Sequence, residues 1–209
     1  MRRLPALVRS GLAALLLGGV AASAQAGNQQ YEPLAASVQA ALHAAVADQA
    51  PLDPSFQRSP ERARWLAEMS QRMAKRIPDE AARSELLRAV HYEATRAGLD
   101  PQLVLGLIQV ESGFKKYALS PVGARGYMQV MPFWARLIGN QETNLFHMRT
   151  NLRFGCTILR HYLDIEKGDL FRALGRYNGS LGKAEYPNLV RGAWERNWAY
   201  PPLRLAQNP

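Results

Sequence analysis

One stretch constrains this chain more than any other. Leu103-Val104-Leu105-Gly106-Leu107-Ile108 is continuously apolar, preceded by Asp100-Pro101 and followed by Gly113. A short apolar run reads equally well as a buried strand or a buried helix, so its flanks decide. Asp can cap the first amides, Pro loses nothing at the first helical position, and Gly can turn left-handed at the end. These are the marks of a helix. A helix apolar on all sides needs neighbours on every face, so this one belongs at the centre of a domain.

Similar punctuation recurs along the chain. Ser59-Pro60-Glu61 starts a helix that carries Trp65, Leu66, Met69 and Met73 inward and stops before Pro78. Asp79-Glu80 opens another, through Leu86, Leu87, Val90 and Ala94, closed by Gly98. Further helices are expected at Pro132–Ile138, Asn151–Lys167, Leu170–Arg176 and Pro187–Trp198. The second of these carries an apolar stripe of Leu152, Cys156, Leu159 and Leu163, reaching Glu166. A weaker helix lies near Leu34–Asp48, on Leu34, Val38, Leu42 and Val46, within an Ala-, Gln- and Pro-rich arm whose remainder reads as a tether. No run alternates well enough to demand a large sheet. The fold class is mainly α.

The amino terminus reads as an export signal. Arg2, Arg3 and Arg9 precede an apolar run, and Ala22-Ser23-Ala24 and Ala24-Gln25-Ala26 both suit cleavage. From Gly11 to Ala24 the apolar stretch falls short of the ~20 residues that span a bilayer. No cysteine follows it, the only one being Cys156, so a lipoprotein anchor is not expected. The formal charge of +9 drops to +6 once those three arginines are removed. The remaining cations are scattered among acids and apolar residues, with no basic block or zinc-finger spacing, which argues against nucleic acid. An exported basic protein points instead to anionic envelope polymers. The resulting division is a signal at 1–26, an arm at 27–58, a domain at 59–200 and a tail at 201–209, with a periplasmic location.

Glu111 is the first acid after ten apolar or neutral positions and sits on the last turn of the central helix. Low-polarity surroundings and the negative end of the helix dipole both disfavour its charged form, which raises its pKa. That is what a general acid working near neutral pH requires. The alternative is a helix-terminal Glu turned to water, and the two readings weigh about evenly on this residue alone.

The residues that follow carry more. Glu111-Ser112-Gly113-Phe114, then Ser120-Pro121-Val122-Gly123-Ala124-Arg125-Gly126-Tyr127-Met128-Gln129-Val130-Met131-Pro132, then Arg176-Tyr177-Asn178-Gly179-Ser180 come in one order. These three blocks strongly resemble the soluble lytic transglycosylase (SLT) family, over about residues 83–198. The family's usual Gly-x-x-Gly-Leu-Met-Gln has Tyr127 in place of Leu, and its Ala-Tyr-Asn-x-Gly has Arg176 in place of Ala with the glycine shifted by one place. The resemblance implies a goose-lysozyme-like helical domain with little or no β structure. It also implies that Glu111 is the sole catalytic carboxylate, and that Ser120, Gln129, Met131, Tyr177 and Asn178 bind the sugar, with Tyr177 near the acid. No cofactor or metal is implied.

By the same resemblance, the expected substrate is the glycan strand of peptidoglycan, cut at the MurNAc-β-1,4-GlcNAc bond to leave a 1,6-anhydro end. A goose-type lysozyme hydrolase and a non-catalytic wall-binding module remain as alternatives. The other candidates read as structural. His91, His147 and His161 lack metal-binding spacing, Cys156 lies in a core stripe, and Tyr186, Trp194, Trp198 and Tyr200 suit docking of a C-terminal helix.

Overall fold

In a computed structural model of the protein, residues 29–47, 58–140 and 142–200 are described. The expected signal at 1–26 and tail at 201–209 lie outside them. The helices among the described residues are α1 (Ala36–Ala47), α2 (Pro60–Met73), α3 (Glu80–Arg96), α4 (Pro101–Ser112), α5 (Pro132–Ile138), α6 (Met148–Ile165), α7 (Leu170–Asn178) and α8 (Glu185–Ala193). A π-helical turn, Trp194–Trp198, continues α8. Extended pairing among the described residues is limited to the isolated bridges Leu119↔Arg125 and Arg125↔Val130. The mainly α reading holds.

The caps sit where the punctuation placed them. Ser59 Oγ accepts from Arg62 N at 3.4 Å, Asp79 Oδ1 from Ala82 N at 2.7 Å and Asp100 Oδ1 from Gln102 N at 2.7 Å. Each satisfies an amide that the first helical turn leaves without a backbone partner.

Central burial decides the fate of α4. Leu103, Val104, Leu105, Leu107 and Ile108 are all buried. Each such side chain contributes about 1.5–3 kcal/mol on burial, against a few tenths lost to the β-branched residues' helix propensity. Packing wins. Helix α4 lies against α8 and the π-helical turn on one side and α3 on another, while α3 also packs on α2 and α6. Gly106 permits a close approach of α4 to the π-helical turn: a Cβ there would lie 2.9 Å from the backbone N of Trp194. Helices α3 and α6 are clamped by a buried fork, with Arg153 Nε and Nη2 donating to the two Glu93 carboxylate oxygens at 3.1 and 2.8 Å.

Two expectations change. Glu166 does not continue the α6 stripe into the core; it caps the helix, where Arg172 and Arg176 hold its carboxylate. The residues ahead of α1 are not a free tether from Gln29 onward. Leu42 and Val46 bury one face of α1 against α5 and α6, and ahead of it Gln29 bonds to Met131 and Glu32 pairs with Arg176.

Candidate active site

Glu111 is turned inward. It is 5% exposed on the last turn of α4, where Gly113, at φ 55°, ends the helix. One carboxylate oxygen, Oε1, accepts from the Tyr186 hydroxyl at 2.5 Å. The other, Oε2, is buried and has no hydrogen-bond partner. Burial pushes the Glu111 pKa up to about 8, against a smaller downward pull from the Tyr186 bond. Ionising the group would strand a charge with one bond, so the carboxyl keeps its proton at neutral pH.

Tyr186 reaches the acid because α8 packs along α4. The hydroxyl that meets the carboxyl is therefore Tyr186's and not Tyr177's. Tyr177 is close enough for the Glu111 charge to help raise its pKa, behind burial as the larger cause. Its ring is fully buried, and its hydroxyl donates to Met128 O at 2.8 Å. It fastens the glycine-rich loop to α7. Asn178, at the end of the same helix, is also buried.

The glycine-rich loop is a compact device. Ser120 closes its tip: Ser120 N donates to Ala124 O and Ser120 Oγ accepts from Ala124 N, both at 3.0 Å. Arg125 and Val130 exchange backbone bonds at 3.0 Å across a turn whose Gly126 has φ 75°. A side chain at Gly126 would also collide with Asn151, whose Nδ2 lies 2.5 Å from the place of a Cβ. Gln129 sits at φ 49°, and its Nε2 donates to Ala118 O at 3.1 Å and Gly126 O at 3.0 Å. Its amide nitrogen is committed to the loop. Met131, half-buried, follows as the cap residue of α5.

Asn151 of α6 anchors this loop from behind. Its Oδ1 accepts from Met128 N at 2.8 Å, and its Nδ2 donates to Arg125 O at 2.7 Å and Leu145 O at 2.9 Å. Neither Asn151 nor the Tyr186 bond was legible in the sequence blocks. A polar residue inside an otherwise buried helical face was the one available signal for Asn151; for Tyr186, 75 positions from Glu111, there was none.

The remaining candidates lie elsewhere. His91 packs edge-on against Trp65, ring centroids 5.0 Å apart, and burial lowers its pKa to about 4. Cys156 is buried, and burial raises its thiol well above the ordinary range. Among the described residues no three His, Cys, Asp or Glu side chains are grouped to hold a metal ion, and no helix is long and apolar enough to cross a membrane.

Comparison with known proteins places these features in a family. A family model, the transglycosylase SLT domain, matches residues 88–192. A transglycosylase of Enterobacteria phage PRD1 is 40% identical over 88 residues, covering 42% of this chain and 32% of that protein. Membrane-bound lytic murein transglycosylase C of Histophilus somni (strain 2336) is 45% identical over 112 residues, covering 46% of this chain and 31% of that protein. The chain thus spans about a third of the length of these curated relatives. Among solved structures, the 70-kDa soluble lytic transglycosylase from Escherichia coli aligns at 17% identity and a TM-score of 0.36, over 70% of this chain and 32% of that one. The matched residues 88–192 are half of the chain and hold the buried acid, the glycine-rich loop and the tyrosine that meets the acid; the chain belongs to the transglycosylase SLT domain family.

Proposed function

We propose that this protein is a peptidoglycan lytic transglycosylase that cuts the MurNAc-β-1,4-GlcNAc bond without consuming water. One observation carries the reading: Glu111 is an inward, protonated carboxyl with one oxygen on Tyr186 and the other unpartnered. Lytic murein transglycosylase C of Histophilus somni, named for action on murein, supports the choice of substrate.

The chemistry needs one protein carboxyl. Glu111 gives its proton to the glycosidic oxygen as the bond from that oxygen to C1 of MurNAc breaks. The sugar's own 2-acetamido oxygen closes on C1, which replaces the second carboxylate of ordinary glycosidases. The Glu111 carboxylate, now charged in an apolar setting, is a strong base. It takes the proton of the 6-hydroxyl, O6 attacks C1, and the acetamido oxygen leaves. A 1,6-anhydro end forms and Glu111 regains its proton. The high pKa suits both halves of the cycle.

Ser120, Gln129, Met131, Tyr177 and Asn178 shape the sugar site in this scheme. Gln129 and Tyr177 act through the loop they hold, because their polar atoms bond to loop carbonyls. The domain covers 59–200, follows an exported leader at 1–26, and works in the periplasm.

Digestion of purified sacculi tests the reading. Wild type should release muropeptides one water lighter than hydrolytic products by mass spectrometry, and Glu111→Gln should release none. Products carrying a reducing end would make the protein a goose-type hydrolase. Undiminished release by the variant would refute the role of Glu111.

A further inference from the structure

Residues 29–32 precede the first helix, yet they lie on the candidate site. Gln29 is 5% exposed, and its Oε1 accepts from Met131 N at 3.4 Å. The orientation of this amide is fixed by chemistry, since only the oxygen can face a backbone N–H. Its Nε2 is buried, and Gln29 lies close enough to the Tyr177 oxygen to favour the ionised phenol. Tyr31 meets the Phe133 ring edge-on, centroids 5.8 Å apart. Glu32 pairs with Arg176 at 3.1 Å. Three contacts within four residues therefore span from the start of α5 to the last turn of α7. Tyr177, beside Gln29, is also within electrostatic reach of Glu111.

We propose that residues 29–32 form a strap across the sugar-binding groove, with the Gln29 carboxamide standing in for the N-acetyl carboxamide of the substrate at Met131, so that a glycan strand must displace it. The inference rests on the transglycosylase reading and adds a resting, self-covered state to it. A glutamine side chain and an N-acetyl group carry the same C=O and N–H pair, and either can accept from the Met131 amide.

The anchoring is weak in a way that suits a reversible cover. The Met131 bond is long for an N–H···O contact. Glu32 is 52% exposed, and exposed ion pairs contribute little. The tie also depends on Arg176, which stands where the family usually has Ala. Glu166 holds the same guanidinium in place.

The test uses the full chain in a Glu111→Gln background, titrated with the tetramer of N-acetylglucosamine by calorimetry. A strap closed nine-tenths of the time hides the site about tenfold. Gln29→Ala and Glu32→Ala should each therefore bind about three- to tenfold tighter than the parent. Hydrogen exchange at the Met131 amide should be faster in Gln29→Ala than in the parent, without any sugar. Equal affinity in all three proteins, with sacculus cleavage by native enzyme intact, overturns the strap alone. Weaker binding by the variants also overturns it, because these residues would then be a wall of the site. Absence of binding by every variant, together with absence of cleavage by the native enzyme, removes the lytic reading and the strap together.

Discussion

Tyr186 donates its hydroxyl to Glu111 at 2.5 Å, joining α8 to the last turn of α4. The bond stabilises the ionised carboxylate, while burial disfavours it, and burial is the larger effect. Tyr186→Phe removes the stabilising partner and keeps the ring. A hydrogen bond to a charged group is worth about 1.5–3 kcal/mol, which predicts a pKa for Glu111 raised by about one pH unit or more. The carboxylate formed after proton donation loses the same support, so kcat should fall about ten- to a hundredfold at neutral pH. A pH–rate profile of the variant checks both, and a basic limb that stays in place would count against the bond's electrostatic role.

The wild-type profile follows from the same carboxyl. Glu111 must start protonated to act as an acid, and its pKa lies at about 8. With soluble muropeptide chains, kcat/KM should hold steady up to about pH 8 and then fall with the slope of one proton. A fall beginning near pH 4.5, the ordinary value for a glutamate, would mean that the group is solvated during turnover.

Much of this was legible in the sequence, and its limits have physical causes. Asp79, Asp100 and Pro101 specify helix starts through local bonds, and local bonds are what a linear pattern encodes. The direction of Glu111 was not settled by its helix, because an acid on a last turn can face water as readily as the core; only the motif blocks that follow it favoured the inward reading. The Tyr186 contact depends on how α8 docks on α4, a relation set by packing over a long sequence separation. Gln129 shows another limit. Its amide suits a sugar as well as it suits the carbonyls of Ala118 and Gly126, and no local pattern announces that its Nε2 bonds to those carbonyls from a left-handed backbone. The strap was illegible because Gln29 is held by single contacts to distant helices, which leave no period in the sequence.

Asn151 yields a prediction about stability that reaches the site. Asn151→Ala leaves the Met128 amide and the Leu145 carbonyl without this partner in buried surroundings, while the Arg125 carbonyl keeps its bond from Val130 N. Each buried group so stranded costs about 1–3 kcal/mol before relaxation, so a loss of about 2–4 kcal/mol is expected in urea unfolding. Because the loop carries Gln129 and Met131, cleavage should weaken in the folded fraction as well. A loss under about 0.5 kcal/mol would show that the loop is held mainly by Tyr177.

Removing the Glu111 carboxyl should make the protein more stable, and the gain should depend on pH. In the unfolded chain Glu111 ionises around its ordinary value of 4.5, whereas in the native state it holds its proton to about 8. A raised native pKa means that its contribution is complete below 4.5 and is lost as pH rises through 8. Each pH unit in that window removes about 1.4 kcal/mol from wild type. Gln has nearly the same shape, can accept the Tyr186 bond and does not titrate. Glu111→Gln should therefore match wild type at pH 4.5 and exceed it by about 2–3 kcal/mol at pH 7, several degrees in Tm for a domain of this size. Calorimetric unfolding of both proteins between pH 4.5 and 8 measures the gap. A gap that stays constant across the window would mean that the native carboxyl ionises as freely as the unfolded one, and the acid would then have no store of basicity to use on the 6-hydroxyl.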